Sequence, residues 1–102
     1  GKKFSMGFLR LYFMLTENKN PGLYFGAGVS AKTFRKATER NRIKRLLRES
    51  YRLQKNSLKE SIEKNNKCLS VFFIYTGKEI PAYKDTFETM GRALKKLLSF
   101  VE

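Results

Sequence analysis

Apolar and polar side chains alternate along the first part of the chain. Between Phe4 and Thr16, Phe8, Arg10, Tyr12 and Met14 fall on one face and Leu9, Leu11, Phe13 and Leu15 on the other. A period of two is the mark of a strand. The second set is pure hydrocarbon and is expected to face the core. Glu17 to Gly22 contains Asn, Pro and Gly, residues that supply turn angles, and Leu23 to Ser30 reads as a second strand. The two strands are expected to pair as an antiparallel hairpin. Gly26 and Gly28 share one face of the second strand, which marks either close approach of a backbone or ligand, or a bulge or tight packing.

The period then changes. After a basic connector, Ala31 to Ala37, Thr38 is the expected N-cap of a helix running from Glu39 to at least Leu53. Ile43, Leu46, Leu47, Ser50 and Leu53 recur at helical spacing and define its buried stripe. At about 100° per residue, Asn41, Lys44, Arg45, Arg48, Arg52 and Lys55 gather on the opposite side. Ser57 to Asn65 either extends this helix or forms a second. Leu69 to Tyr75 is an almost unbroken apolar run, which predicts a central strand covered on both faces. Thr76 to Pro81 breaks it. A final helix from about Tyr83 carries Phe87, Met90, Leu94, Leu97, Leu98 and Val101 as its apolar stripe. The expected order is β-β-α-β-α, an α+β sandwich with helices packed on a small sheet. No internal repeat or linker divides the chain, so residues 1–102 read as one domain.

Charge changes the picture from fold to partner. Lys and Arg number 22 against nine Asp and Glu, a net +13, and such an excess points to a polyanion. Nucleic acid comes first, because cations that displace condensed counterions from phosphates are rewarded. An anionic membrane surface comes second, and a merely solvated basic surface is the plain alternative. Between Lys32 and Lys55 lie ten basic residues and two acidic ones, so +8 of the +13 sits in 24 residues.

Other chemistries are excluded by what the chain lacks. It has no histidine and one cysteine, which rules out an internal disulfide, a Ser-His-Asp triad and a Cys-His pair, and leaves no zinc site. Cys68, in an apolar stretch, is expected to be a small core residue. No paired-carboxylate motif stands out. No apolar run approaches the roughly 20 residues that span a bilayer, and the first residues do not read as a signal peptide. The expected setting is the cytoplasm, with no membrane partner.

Most of the information lies in Arg40-Asn41-Arg42-Ile43-Lys44-Arg45-Leu46-Leu47-Arg48-Glu49. Folding asks for one apolar stripe and nothing more. Five Lys and Arg within nine residues place like charges at i,i+3 and i,i+4, which costs a few tenths of a kcal/mol per pair. Arginine favours forked contacts to phosphate oxygens, and Asn41 adds a neutral donor and acceptor. This segment resembles the signature helix of the bacterial ribonuclease P protein family, with its Arg-Asn-Arg core. The strand with Leu11-Tyr12, the Gly28-Val29-Ser30 segment before the basic connector, and the Ile74-Tyr75 strand before a closing helix are similar as well. The resemblance extends from about Lys2 to Leu98.

That resemblance implies a two-layer α-β sandwich with a mixed sheet, related to a ribosomal-protein domain and carrying a left-handed β-α-β crossover. It implies a protein subunit that binds a catalytic RNA and the 5′ leader of precursor tRNA, assisting removal of the leader. Hydrolysis would belong to the RNA, which would also hold the Mg2+; no protein-bound cofactor and no obligate protein partner are expected. Lys36, Arg40, Asn41, Arg42, Lys44, Arg45, Arg48 and Arg52 are the expected RNA-binding residues. Phe8, Arg10, Tyr12, Lys32 and Arg35 are the expected leader cleft, with Phe8 and Arg10 placed there by strand alternation. Members of the family begin with a helix that this sequence is expected to lack. Two rivals stand beside this reading: a non-catalytic RNA-binding module, and a DNA-binding domain with the Arg helix in a major groove.

Overall fold

The computed structural model describes residues 2–17 and 20–102, so the turn expected over 17–22 lies partly outside the described residues. The elements are β1 (Lys2–Met6), β2 (Leu9–Glu17), β3 (Gly22–Val29), α1 (Ala37–Gln54), α2 (Asn56–Lys64), β4 (Lys67–Tyr75) and α3 (Tyr83–Val101). The architecture is the expected α+β one, a four-stranded mixed sheet with three helices.

The strand expected from Phe4 to Thr16 is two strands. Met6 pairs with Leu9, so Gly7 and Phe8 form a two-residue hairpin turn. Gly7 takes the first central position at φ +56°, the place where such turns call for glycine. A segment rich in aromatic and aliphatic residues hid this fold-back, because one glycine is its only turn signal.

The expected hairpin of the segments now called β2 and β3 does not form. The sheet order is β1-β2-β4-β3, with β4 inserted between them. β4 pairs antiparallel with β2 from Leu9↔Tyr75 to Glu17↔Lys67, and parallel with β3 from Gly22↔Cys68 to Val29↔Tyr75. The physical reason is burial: β4 carries Leu69, Val71, Phe73 and Tyr75, all buried, and takes the central position where its backbone is paired on both sides. The path from β3 through α1 and α2 to β4 is therefore a β-α-β crossover between neighbouring parallel strands.

The core lies on one face only. Leu9, Leu11 and Phe13 join the four β4 residues against Ile43 and Leu47 of α1, Leu58 and Ile62 of α2, and Met90, Leu94 and Leu97 of α3. Phe25 stacks on Tyr51 with ring centroids 4.2 Å apart, fixing α1 beneath β3. Gln54 ties α1 to α3 by donating to the Phe87 carbonyl at 2.9 Å.

Several expectations are corrected by this arrangement. The expected covering of β4 on both faces does not occur, since Ser70 and Phe72 are exposed. Cys68 is half-buried and shares their strand parity rather than that of the core residues. α1 begins one residue before Thr38, with Lys36 at the N-cap and no side-chain cap. Leu53 is exposed and Tyr51 buried in its place; Tyr51 lies about 40° round the helix from the fully buried Leu47, whereas Leu53 lies about 120° from it, outside the stripe. Ser57 to Asn65 forms most of a separate helix, α2, rather than an extension of α1.

Candidate nucleic-acid interface

The sheet face opposite the helices is open, and strand pairing arranges its side chains in rows. Lys3 of β1, Tyr12 of β2, Phe72 of β4 and Gly26 of β3 are consecutive partners across all four strands. The next row holds Met14, Ser70 and Tyr24, and the row on the other side holds Ser5, Arg10, Ile74 and Gly28. A groove of about 720 Å³ lies over the first two rows, lined by Lys3, Tyr12, Met14, Tyr24, Gly26 and Phe72, with Lys2 at its edge. Tyr12 is 39% exposed, Phe72 44% and Tyr24 62%, so the fold leaves three rings on this face uncovered.

The two glycines decide how Phe72 sits. A Cβ at Gly26 would stand 2.6 Å from Phe72 Cδ2, and one at Gly28 3.0 Å from Cε1 and Cζ. The ring therefore lies across β3 in space that only glycine leaves. Of the two alternatives for these glycines, close packing of a neighbouring side chain is what occurs.

Of the residues expected in the cleft, Tyr12 lines this groove. Arg10 is exposed on the same face one row along, beside Ile74. Phe8 is not on that face: it sits in the β1–β2 turn, its ring 5.1 Å from that of buried Tyr75, and its carbonyl accepts from the Thr76 N–H at 2.8 Å. Alternation failed there because the strand had already turned. Lys32 and Arg35 are exposed on the connector after β3, at the sheet end where Arg10 and Ile74 lie, and do not line the groove. Phe72, Tyr24, Met14 and Lys3 were missed. The polar Ser70 within β4 and the paired glycines of β3 were the available signals for a second, open face.

On α1, Asn41, Arg42, Arg45, Arg48 and Arg52 are exposed, as is Lys36 at its start, while Arg40 and Lys44 are half-buried. They are not equivalent. Arg52 bonds Glu49 at 2.6 Å, and this hydrogen bond holds the Glu49 carboxyl below its usual range. Arg40 Nη1 donates to the carbonyls of Phe34 at 2.8 Å and Arg35 at 2.9 Å. Arg42, Arg45 and Arg48 project into solvent on the side away from Ile43 and Leu47.

Among the described residues no three His, Cys, Asp or Glu side chains come together as a metal-binding group, and no helix is long and apolar enough to cross a membrane.

These features define a small, basic α+β protein that presents an open aromatic sheet face and a cationic helix. The model of the ribonuclease P family matches residues 1–101. Ribonuclease P protein components from two strains of Porphyromonas gingivalis are each 34% identical over 99 residues, covering 96% of this chain and 69% of the relative. The solved structure of the Staphylococcus aureus RNase P protein superposes with a TM-score of 0.64 at 21% identity, over 95% of this chain and 81% of that one. The chain belongs to the ribonuclease P protein family, and so to tRNA processing.

Proposed function

We propose that the chain binds the catalytic RNA of ribonuclease P through α1 and the single-stranded 5′ leader of precursor tRNA through the open sheet face. The observation that carries this is the groove over the Lys3–Tyr12–Phe72–Gly26 row. Exposed rings beside lysines suit a single strand: every base has a face to stack, and the lysines meet the phosphates without reading sequence. A duplex keeps its bases paired and stacked inside it and offers the rings no free base face. Arg42, Arg45 and Arg48, aligned along α1, suit the phosphates of a folded RNA.

In this reading hydrolysis belongs to the RNA subunit, which holds the magnesium ions; the chain supplies binding, orientation and charge. It neutralises phosphates where two RNAs meet, and its leader groove favours precursor over mature tRNA.

The test is precursor tRNA cleavage by a bacterial ribonuclease P RNA at low magnesium, with and without the chain. Stimulated cleavage at the correct 5′ end is expected. Arg45→Ala with Arg48→Ala should leave the fold intact, weaken binding to the catalytic RNA and flatten its salt dependence by about 0.7–0.9 per lost contact. Tyr12→Ala should reduce the preference for leader-bearing over mature tRNA. Tight RNA binding without any stimulation would leave a plain RNA-binding module instead.

A further inference from the structure

The connector between β3 and α1 carries three cations, Lys32, Arg35 and Lys36, in five residues, and a segment of that composition has no reason of its own to hold one shape. It is nevertheless fixed at several points. The Lys32 N–H donates to Ser30 Oγ at 3.2 Å and the Phe34 N–H to the Ser30 carbonyl at 3.0 Å. The Phe34 ring is buried, 6.0 Å from that of Tyr75. The last fixing point is Arg40. Both protons of its Nη1 are directed at the connector, one to the Phe34 carbonyl and one to the Arg35 carbonyl. The N–H groups of Glu39 and Arg40 meanwhile donate to the Lys36 carbonyl at 3.1 and 3.2 Å. The carbonyls of three successive residues are thus gathered by the first turn of α1, while the side chains of Arg35 and Lys36 stay exposed.

We infer that Arg40 is a positioning residue: it clasps the connector so that Arg35 and Lys36 meet RNA phosphates as a preformed pair, and does not itself bind phosphate. This rests on the proposed RNA-binding role. It separates Arg40 from the rest of the arginine-rich helix, with which the sequence groups it. A lysine does not reproduce it: its stem ends one bond short of where Nη1 stands, and its ammonium protons rotate freely instead of being held in the guanidinium plane that aims both Nη1 protons at the two carbonyls. The geometry also explains why a cation is tolerated in the first turn of α1, where the helix dipole disfavours positive charge. The two backbone carbonyls supply the compensating negative ends.

The test is a double-mutant cycle on binding of the full chain to a bacterial ribonuclease P RNA, each affinity measured across a salt series, with thermal unfolding of every variant. Arg35→Gln in the parent should weaken binding about 10- to 150-fold, as loss of a charge-assisted contact does. In an Arg40→Gln background the same change should cost less than about 2-fold, because the clasp that positions Arg35 is already gone. Arg40→Lys, which keeps the charge, should bind as weakly as Arg40→Gln. Additive losses would overturn the inference, as would full affinity of Arg40→Lys: either makes Arg40 an independent phosphate contact. If Arg40→Gln proves unstable, the comparison of Arg40→Lys with the parent decides alone. Failure of the parent chain to bind the RNA at all would instead sink the RNA-binding proposal, which keeps the two failures distinct.

Discussion

The pose of Phe72 can be perturbed without touching the ring. Carbon atoms pack best at about 3.5–4.0 Å, so a methyl at position 26, 2.6 Å from Phe72 Cδ2, overlaps by about 1 Å. Something has to move. Phe72 is 44% exposed and can swing towards solvent, so the β3 backbone stays in place and Gly26→Ala costs only the low end of the overpacking range, about 1 kcal/mol. Removing a strand glycine returns about 0.5–1 kcal/mol. Stability should therefore change little, while the ring leaves its place across β3. If Phe72 is a stacking platform, that displacement removes part of an interaction worth about 1–3 kcal/mol per base, a loss of about 5- to 150-fold. Phe72→Ala sets the limit of the effect. The assay is binding of a labelled single-stranded leader oligonucleotide, alongside chemical unfolding. Gly26→Ala binding as tightly as the parent, with Phe72→Ala weakened, would show that the pose set by the glycines is irrelevant. Unchanged binding by Phe72→Ala would remove the ring from the interface altogether.

Other consequences follow from the core and from α1. Leu47→Ala, at a fully buried position facing the sheet, should cost about 2–5 kcal/mol in chemical unfolding; less than about 1 kcal/mol would mean that α1 does not seal this core. Burial pushes the Tyr51 phenol up to about 12, above the value near 10 expected in the unfolded chain. Its contribution is thus complete below about pH 10 and is lost as pH rises towards 12. Tyr51→Phe should shed that component, so that the difference in stability between parent and variant changes across that window and is flat below it. Glu49→Gln frees Arg52 from its partner and adds one unit of positive charge, so RNA affinity should rise several-fold at low salt and converge with the parent as salt increases. Equal affinities at low salt would show that this end of α1 lies outside the contact.

The helices were legible in the sequence because each carries a strong period: Ile43, Leu47 and Ser50 in α1, and Met90, Leu94 and Leu97 in α3, are buried where spacing put them. The alternation of β2 was equally plain, with Leu9, Leu11 and Phe13 inside and Arg10, Tyr12 and Met14 outside. What the period does not encode is pairing. Nothing local tells β3 to choose β4 over β2, since that choice depends on which strand takes the centre of the sheet. The Gly7 turn was lost inside an apolar run, and Phe8 was misplaced with it. Tyr12 was placed on the face that proves open because its strand was read correctly. Phe72 was not, because an apolar strand with both faces rich in large side chains looks covered on both sides; Tyr24 was not, because only Gly26 and Gly28 were assigned to that face of β3 although Tyr24 shares their parity. Arg40 is the opposite case: its place in a cationic cluster was plain, but its hydrogen bonds to Phe34 and Arg35 arise from a connector whose path no periodicity describes.

An open aromatic sheet face is ordinarily a hazard, since exposed rings on paired strands invite a second copy. Here the same cations that suit RNA also oppose that outcome. Lys2 and Lys3 stand at the groove's edge, and a net charge of +13 makes the close approach of two like molecules unfavourable. A polyanion meets no such barrier, because each phosphate it brings offsets a charge that the folded chain otherwise holds at a cost. The apolar groove and the basic surface are therefore one device. Under the proposed function the rings would reward an unpaired strand over a duplex, and the charge would admit nucleic acid while opposing the approach of other copies of the chain. Neither half is required by the core, which is completed on the opposite face by α1, α2 and α3.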